Sequence, residues 1–169
     1  SSSSAASDVY KRQHVETLPT VQIYVSPEIP TTVVTVLQAA RQVVTMTSYT
    51  YGYEAMHECL KGLLRHGVKL RFLQCKHQLM RGAAKKMIPR VLERMQGGAE
   101  VRVWSFNHST RQRLPNGTAG CYSALHAKTI VVDQSIALIG SCNWSGNSMN
   151  SCVETMQLTR LKRQVDKMD

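Results

Sequence analysis

Between residues 20 and 75 the chain changes its period of hydrophobicity four times. TVQIYVS (20–26) alternates apolar and polar positions as a half-buried strand does, and PTTVVTVLQAARQ (30–42) shifts to helical spacing from Pro30, a residue suited to a first helical turn. VVTMTSYTY (43–51) predicts a second strand, YEAMHECLKGLLRHG (53–67) an amphipathic helix closed by Gly67, and VKLRFLQC (68–75) a third strand. This βαβαβ rhythm predicts an α/β fold: a mixed, mostly parallel β-sheet flanked by helices on both faces.

The pattern continues through GAAKKMIPRVLERMQGG (82–98), where Ala84, Met87, Ile88, Val91, Leu92 and Met95 form one apolar stripe. Lys85, Lys86, Arg90 and Arg94 fall largely outside that stripe, and Pro89 is expected to break or kink the helix. AEVRVWSF (99–106) predicts a strand, and residues 107–121 a polar loop carrying Arg111 and Arg113. Two further strands, 124–133 and 135–141, are joined by a tight turn at Asp133-Gln134-Ser135, and CVETMQL (152–158) supplies a last strand. No internal repeat is visible. The serine-rich opening, residues 1–13, has no periodicity and resembles a non-native, disordered leader, so a single domain is expected over 14–169.

Composition sharpens the picture. Lys and Arg total 21 against 11 Asp and Glu, a formal charge of +10. Setting aside Asp8, Lys11 and Arg12 still leaves +9, so the basic balance belongs to the domain and favours polyanionic partners, nucleic acid or an acidic membrane surface. No apolar run is long enough to span a bilayer, and no signal peptide is visible. Five cysteines, an odd number without a CxxC pair, argue against a disulfide framework. They fit an intracellular reducing compartment: the cytoplasm, or a mitochondrial surface if an anchor precedes this chain.

The chemistry concentrates in LHAKTIVVDQSIALIGSCNW (125–144). Side chains alternate along a strand, so His126 and Lys128 share one face with Ile130 and Val132. For an isolated H-x-K the plain reading is the exposed end of a strand. Here, however, a hairpin turning at Gln134 returns Gly140, Ser141 and Asn143 to the level of His126. An imidazole able to attack or protonate, an ammonium to balance phosphate charge, and amide and hydroxyl donors for nonbridging oxygens are what a phosphodiester site requires. No dense carboxylate set is present to hold magnesium, so metal-independent chemistry without a cofactor is expected, with Lys128, Asn143 and Ser141 carrying the charge.

His126, Lys128, Asp133, Gly140, Ser141 and Asn143 fill H-x-K-x4-D-x6-G-S-x-N, which resembles the full signature of the phospholipase D superfamily. VQIYVSPE (21–28), the TSYTY strand, LLRHGVKLRFL and Glu154, eleven residues after Asn143, are similar to its single-motif branch, which holds bacterial endonucleases and mitochondrial cardiolipin hydrolase or Zucchini-type proteins. Trp144 resembles the latter. The resemblance implies a sandwich fold of the phospholipase D/nuclease type and a site completed by a homodimer. His126 of one subunit would form a phosphohistidine and His126 of the other would protonate the leaving oxygen. Lys128, Asn143 and Ser141 would clamp the phosphate, and Glu154 would orient a histidine ring. Asp133 belongs to the motif but points away from His126, a structural position. Loop 107–121 is longer than expected for the bacterial nucleases, and the chain ends soon after the last strand.

Other candidates carry plainer readings. Cys59, Cys75 and His77 lack a fourth zinc ligand, and Cys59 lies on the Met56, Leu60, Leu63 stripe, so buried free thiols and no metal are expected. Arg111 and Arg113 are candidate substrate contacts. His57, His66 and His108 read as surface residues. Tyr49, Tyr51 and Tyr53 read as core, with a stacking face for bases as the alternative. Three functions follow: an endonuclease, a lipid hydrolase acting on cardiolipin or another anionic phospholipid, or a silent nucleic-acid-binding dimer. The intact motif argues against the third.

Overall fold

Among the described residues seven strands form one sheet. The computed structural model describes residues 21–79, 87–105 and 125–160. The leader, Arg111, Arg113, His108 and Cys121 lie outside these residues. Strands β1 (Val21–Val25), β2 (Val43–Ser48), β3 (Lys69–Cys75) and β4 (Glu100–Trp104) are followed by the hairpin β5 (Thr129–Val132) and β6 (Ile136–Gly140), and then by β7 (Thr155–Arg160). Helices α1 (Ile29–Gln38), α2 (Glu54–Arg65), α3 (Lys76–Leu79), α4 (Met87–Gln96) and α5 (Gly146–Ser151) occupy the connections.

The sheet is mixed, as expected, but its balance differs from the mostly parallel reading. β2 with β3 and β3 with β4 are parallel, whereas β1–β7, β7–β6, β6–β5 and β5–β2 are antiparallel. The helical crossovers impose parallel pairing only in the first half of the chain. The β5–β6 hairpin then inserts beside β2 and reverses direction.

Val44 and Met46 on β2, Leu70 and Phe72 on β3, Ile130 and Val132 on β5, and Leu138, Met156 and Leu158 on β6 and β7 all turn to one face and are buried. Ile29, Val33 and Leu37 of α1 and Met56 and Leu60 of α2 complete the same core. Each such side chain contributes about 1.5–3 kcal/mol on burial. The opposite face carries Ile23, Thr45, Arg71, Ile139 and Gln157, all exposed. Among the described residues the helices therefore cover one face, where coverage of both was expected.

Pro89 does not interrupt its helix. It stands in the first turn of α4, where the absent N–H has no intrahelical partner to lose. The apolar stripe of that helix is also displaced: Leu92 and Met95 are half exposed, whereas Arg94 is 1% exposed. Gly67 closes α2 at φ 79°, a left-handed conformation that glycine adopts without steric penalty.

Asp133 opens the β5–β6 turn, in which Asp133 and Gln134 have φ of 48° and 55°. Its carboxylate accepts the backbone N–H groups of Arg41, Gln42 and Val43, each at 2.8 Å, and so ties the hairpin turn to the start of β2. Burial alone would raise its pKa, but the three donors outweigh that and hold it below the usual carboxylate value. This contribution to stability is complete above the unfolded pKa and fades as pH falls through the lower folded value. Asp133→Ala should cost about 1–3 kcal/mol at pH 7 and progressively less below about pH 4, measured by urea unfolding across that range.

Candidate active site

The carboxyl ends of β1, β2, β3 and β4 and both open ends of the β5–β6 hairpin meet at one edge of the sheet. β5 begins only at Thr129, so His126 and Lys128 stand in an extended lead-in and not within the strand itself. Thr129 fixes the entry: its N–H donates to Thr47 Oγ1 at 3.1 Å and the two hydroxyls lie 3.0 Å apart. His126 is exposed, while Lys128 beneath it is 3% exposed.

The Lys128 ammonium lies 3.0 Å from His126 Nδ1 and 2.9 Å from Nε2, and donates to the nitrogen carrying the free lone pair. The Tyr49 ring meets His126 edge-on at 4.9 Å between centroids, with Lys128 Nζ 5.5 Å from the Tyr49 ring centre. Burial lowers the Lys128 pKa from the ordinary lysine value, partly offset by the negative charge of Glu154 and by Cys142.

Gly140 ends β6 where a Cβ would run into the Thr155 carbonyl and Met156 Sδ, so only glycine lets β6 and β7 close here. Ser141 follows: its N–H donates to the Thr155 carbonyl at 3.0 Å, and its Oγ accepts the Thr155 N–H at 3.1 Å and donates to the Glu154 carboxylate. Glu154 thus meets Ser141; among the described residues no hydrogen bond joins it to the His126 ring, which meets Lys128 and Tyr49. Asn143 is half-buried, and its Oδ1 is buried without a hydrogen-bond partner among the described residues. Asp133 lies at the far end of the hairpin, five residues past Lys128 and so about 16 Å away along the extended chain.

Residues 33–169 match the family model described as "Cardiolipin synthase, PLD-like domain". The chain belongs to this family. Membership places it in the phospholipase D superfamily of enzymes acting on phosphodiester bonds. Among solved structures it is similar to NucT from Helicobacter pylori, with a TM-score of 0.68, 18% identity, and coverage of 85% of this chain and 86% of that one. It is also similar to Nuc, a phospholipase D family member from Salmonella typhimurium, with a TM-score of 0.66, 19% identity, and coverage of 85% and 84%. Phosphatidylserine synthase from Haemophilus influenzae matches over 87% of this chain and 36% of its own length, with a TM-score of 0.63 and 13% identity. No curated protein sequence matches the chain.

Within this PLD-like domain, Asn143 is positioned by the fully buried Trp144. The Trp144 indole N–H donates to the Thr47 carbonyl at 2.7 Å, and its own carbonyl accepts Gly52 and Tyr53 N–H groups at 2.7 and 3.0 Å. Cys142, between the two motif residues, faces Met149 at 3.7 Å, and burial pushes its thiol up to about 12.

Behind this anchor lies a network the hydrophobic pattern did not reveal. His57 is buried, not on the surface as expected. With Nε2–H donating to Glu93 at 2.9 Å, its Nδ1 accepts the Tyr51 hydroxyl at 3.1 Å. The Arg94 guanidinium lies 3.8 Å from the Tyr51 ring centre and 4.1 Å from that of Phe72, which keeps a charged side chain inside the core. Burial pushes the Tyr51 hydroxyl up to about 12. The one available signal was that Arg94 stands three residues after Val91, on the buried side of the turn. Cys75 is buried and Cys59 half-buried, and no three His, Cys, Asp or Glu side chains gather as metal ligands among the described residues.

Trp144→Phe removes the indole donor and leaves the buried Thr47 carbonyl short of a partner. It should lower unfolding free energy by about 1–3 kcal/mol in a denaturant titration at neutral pH.

Proposed function

We propose that the chain is a metal-independent phosphodiesterase acting through a phosphohistidine on His126 in a homodimeric site, and that its substrate is nucleic acid. The observation that carries this reading is the Lys128 ammonium, buried and held within 3.0 Å of both ring nitrogens of an exposed histidine. A cation lodged where water solvates it poorly favours a bound anion, and the neighbouring imidazole is free to reach solvent and substrate. A phosphate there would meet the ammonium together with Asn143, and the Ser141 hydroxyl, which donates to Glu154 in this structure, would assist by turning toward the charge that grows on nonbridging oxygens.

The chemistry takes two steps. His126 attacks phosphorus and one ester oxygen departs with a proton; water then attacks the phosphohistidine and the imidazole is released. Both steps need an acid or base opposite the nucleophile, and the chain supplies one H-x-K. The His126 of a second copy fills that role. The net charge of +10 suits a polyanion gathered along the sheet edge and predicts binding that weakens steeply with salt. Arg111 and Arg113 are assigned to that binding on charge alone.

A second reading, hydrolysis of cardiolipin or another anionic phospholipid, is favoured by Val153, which is 94% exposed beside Glu154, and by the wording of the family description. No helix among the described residues is long and apolar enough to cross a membrane.

EDTA-treated wild type and His126→Asn, compared on labelled single-stranded DNA, single-stranded RNA and cardiolipin vesicles, separate these readings. Oligonucleotide cleavage that survives EDTA and falls by roughly 10³-fold or more in the variant is the expected result. Turnover confined to vesicles would establish the lipid reading, and activity retained by His126→Asn would overturn both.

A further inference from the structure

The segment that carries Glu154 into the site, residues 152–154, belongs to neither α5 nor β7. Apolar packing does not hold it, since Val153 is 94% exposed. What fixes it comes from the other end of the chain. Ser26 follows β1, the outermost strand of the sheet, one position past the pairing of Val25 with Thr155. The Ser26 hydroxyl donates to the Cys152 carbonyl at 2.9 Å and accepts the Glu154 N–H at 3.1 Å, while the Ser26 N–H donates to the Glu154 carbonyl at 3.2 Å. Both backbone polar groups of Glu154 therefore end on Ser26, and its carboxylate ends on Ser141.

We propose that Ser26 is a positioning residue that sets the Glu154–Ser141 pair at the rim of the phosphodiester site. The assignment rests on the reading of that site given above. The hydroxyl is used in both senses at once, as donor and as acceptor, which alanine cannot reproduce and threonine can. Without it, the Cys152 carbonyl and the Glu154 N–H turn to water, and the segment loses two of the three hydrogen bonds that tie it to Ser26. Glu154 then drifts relative to Ser141, and the carboxylate whose charge offsets the desolvation of Lys128 is no longer held at a fixed distance. A strand at the edge of the sheet thus sets the electrostatics of a site built on its middle strands.

The test is a double-mutant cycle with a structural readout beside it. Ser26→Ala should lower kcat by about tenfold to a hundredfold with little change in KM, the size typical of groups supporting a catalytic shell, and Ser26→Thr should restore most of it. In a Glu154→Gln background the same change should have almost no further effect, because its target is already gone. Amide hydrogen exchange should show the Glu154 N–H losing protection in Ser26→Ala while the β2 and β3 amides keep theirs. Ser26→Cys, a weak donor and acceptor, takes the place of alanine if that variant does not fold.

Losses in Ser26→Ala and Glu154→Gln that multiply independently, or an unchanged Glu154 amide, would overturn the assignment. If wild type turns over no phosphodiester, the reading of the site fails and the amide exchange still decides whether Ser26 clamps the segment.

Discussion

A lysine ammonium that is nearly closed off from water constrains everything around it. Lys128 is 3% exposed, and an isolated buried cation is costly enough that proteins surround it with compensating groups or let it lose its proton. Here the compensation is partial. The His126 ring offers a lone pair, the Tyr49 ring a π-face at 5.5 Å, and Glu154 a negative charge. None of these is a direct ion pair, and the shortfall is what an arriving phosphate would supply. In the proposed reaction binding and chemistry would thereby be linked, because the group proposed to favour the anion is in contact with the group proposed to attack it.

Several independent anchors hold the surroundings of that lysine. Thr47 and Thr129 lock the start of β5 onto β2, Gly140 lets β6 and β7 approach, and Trp144 fastens the turn that follows Asn143 to Thr47 and to the Gly52–Tyr53 backbone. Asp133 acts at the other end of the same hairpin, gathering three N–H groups so that the register of β5 against β2 cannot slip. A slip of one residue would exchange the buried and exposed sides of the strand and of its lead-in, bringing Lys128 out to solvent. The motif aspartate thus holds the register of the hairpin that carries the other motif residues.

The motif was legible because it is local: H-x-K and G-S-x-N flank one hairpin, and one tight turn joins β5 to β6 between them. Elements legible from periodicity also appear where expected, within a few residues. What escaped was non-local or depended on one atom's partners. His57 and Arg94 look like surface residues until the Tyr51, Phe72 and Glu93 side chains from other elements are beside them. The antiparallel majority of the sheet follows from where the hairpin inserts, which no single segment encodes. Ser26 and Glu154 lie 128 positions apart, and nothing in either segment announces the other. Glu154 was expected to orient a histidine ring, and its hydroxyl partner among the described residues is Ser141.

In the proposed reaction His126 becomes covalently attached to phosphorus. An oligonucleotide labelled at an internal phosphodiester, mixed with excess protein and quenched in alkali during the first turnover, reads this out directly. Label is expected on the peptide containing His126, stable in base and lost in acid as a phosphoramidate is. Cleavage that proceeds with no labelled protein, or with label on another residue, would contradict it.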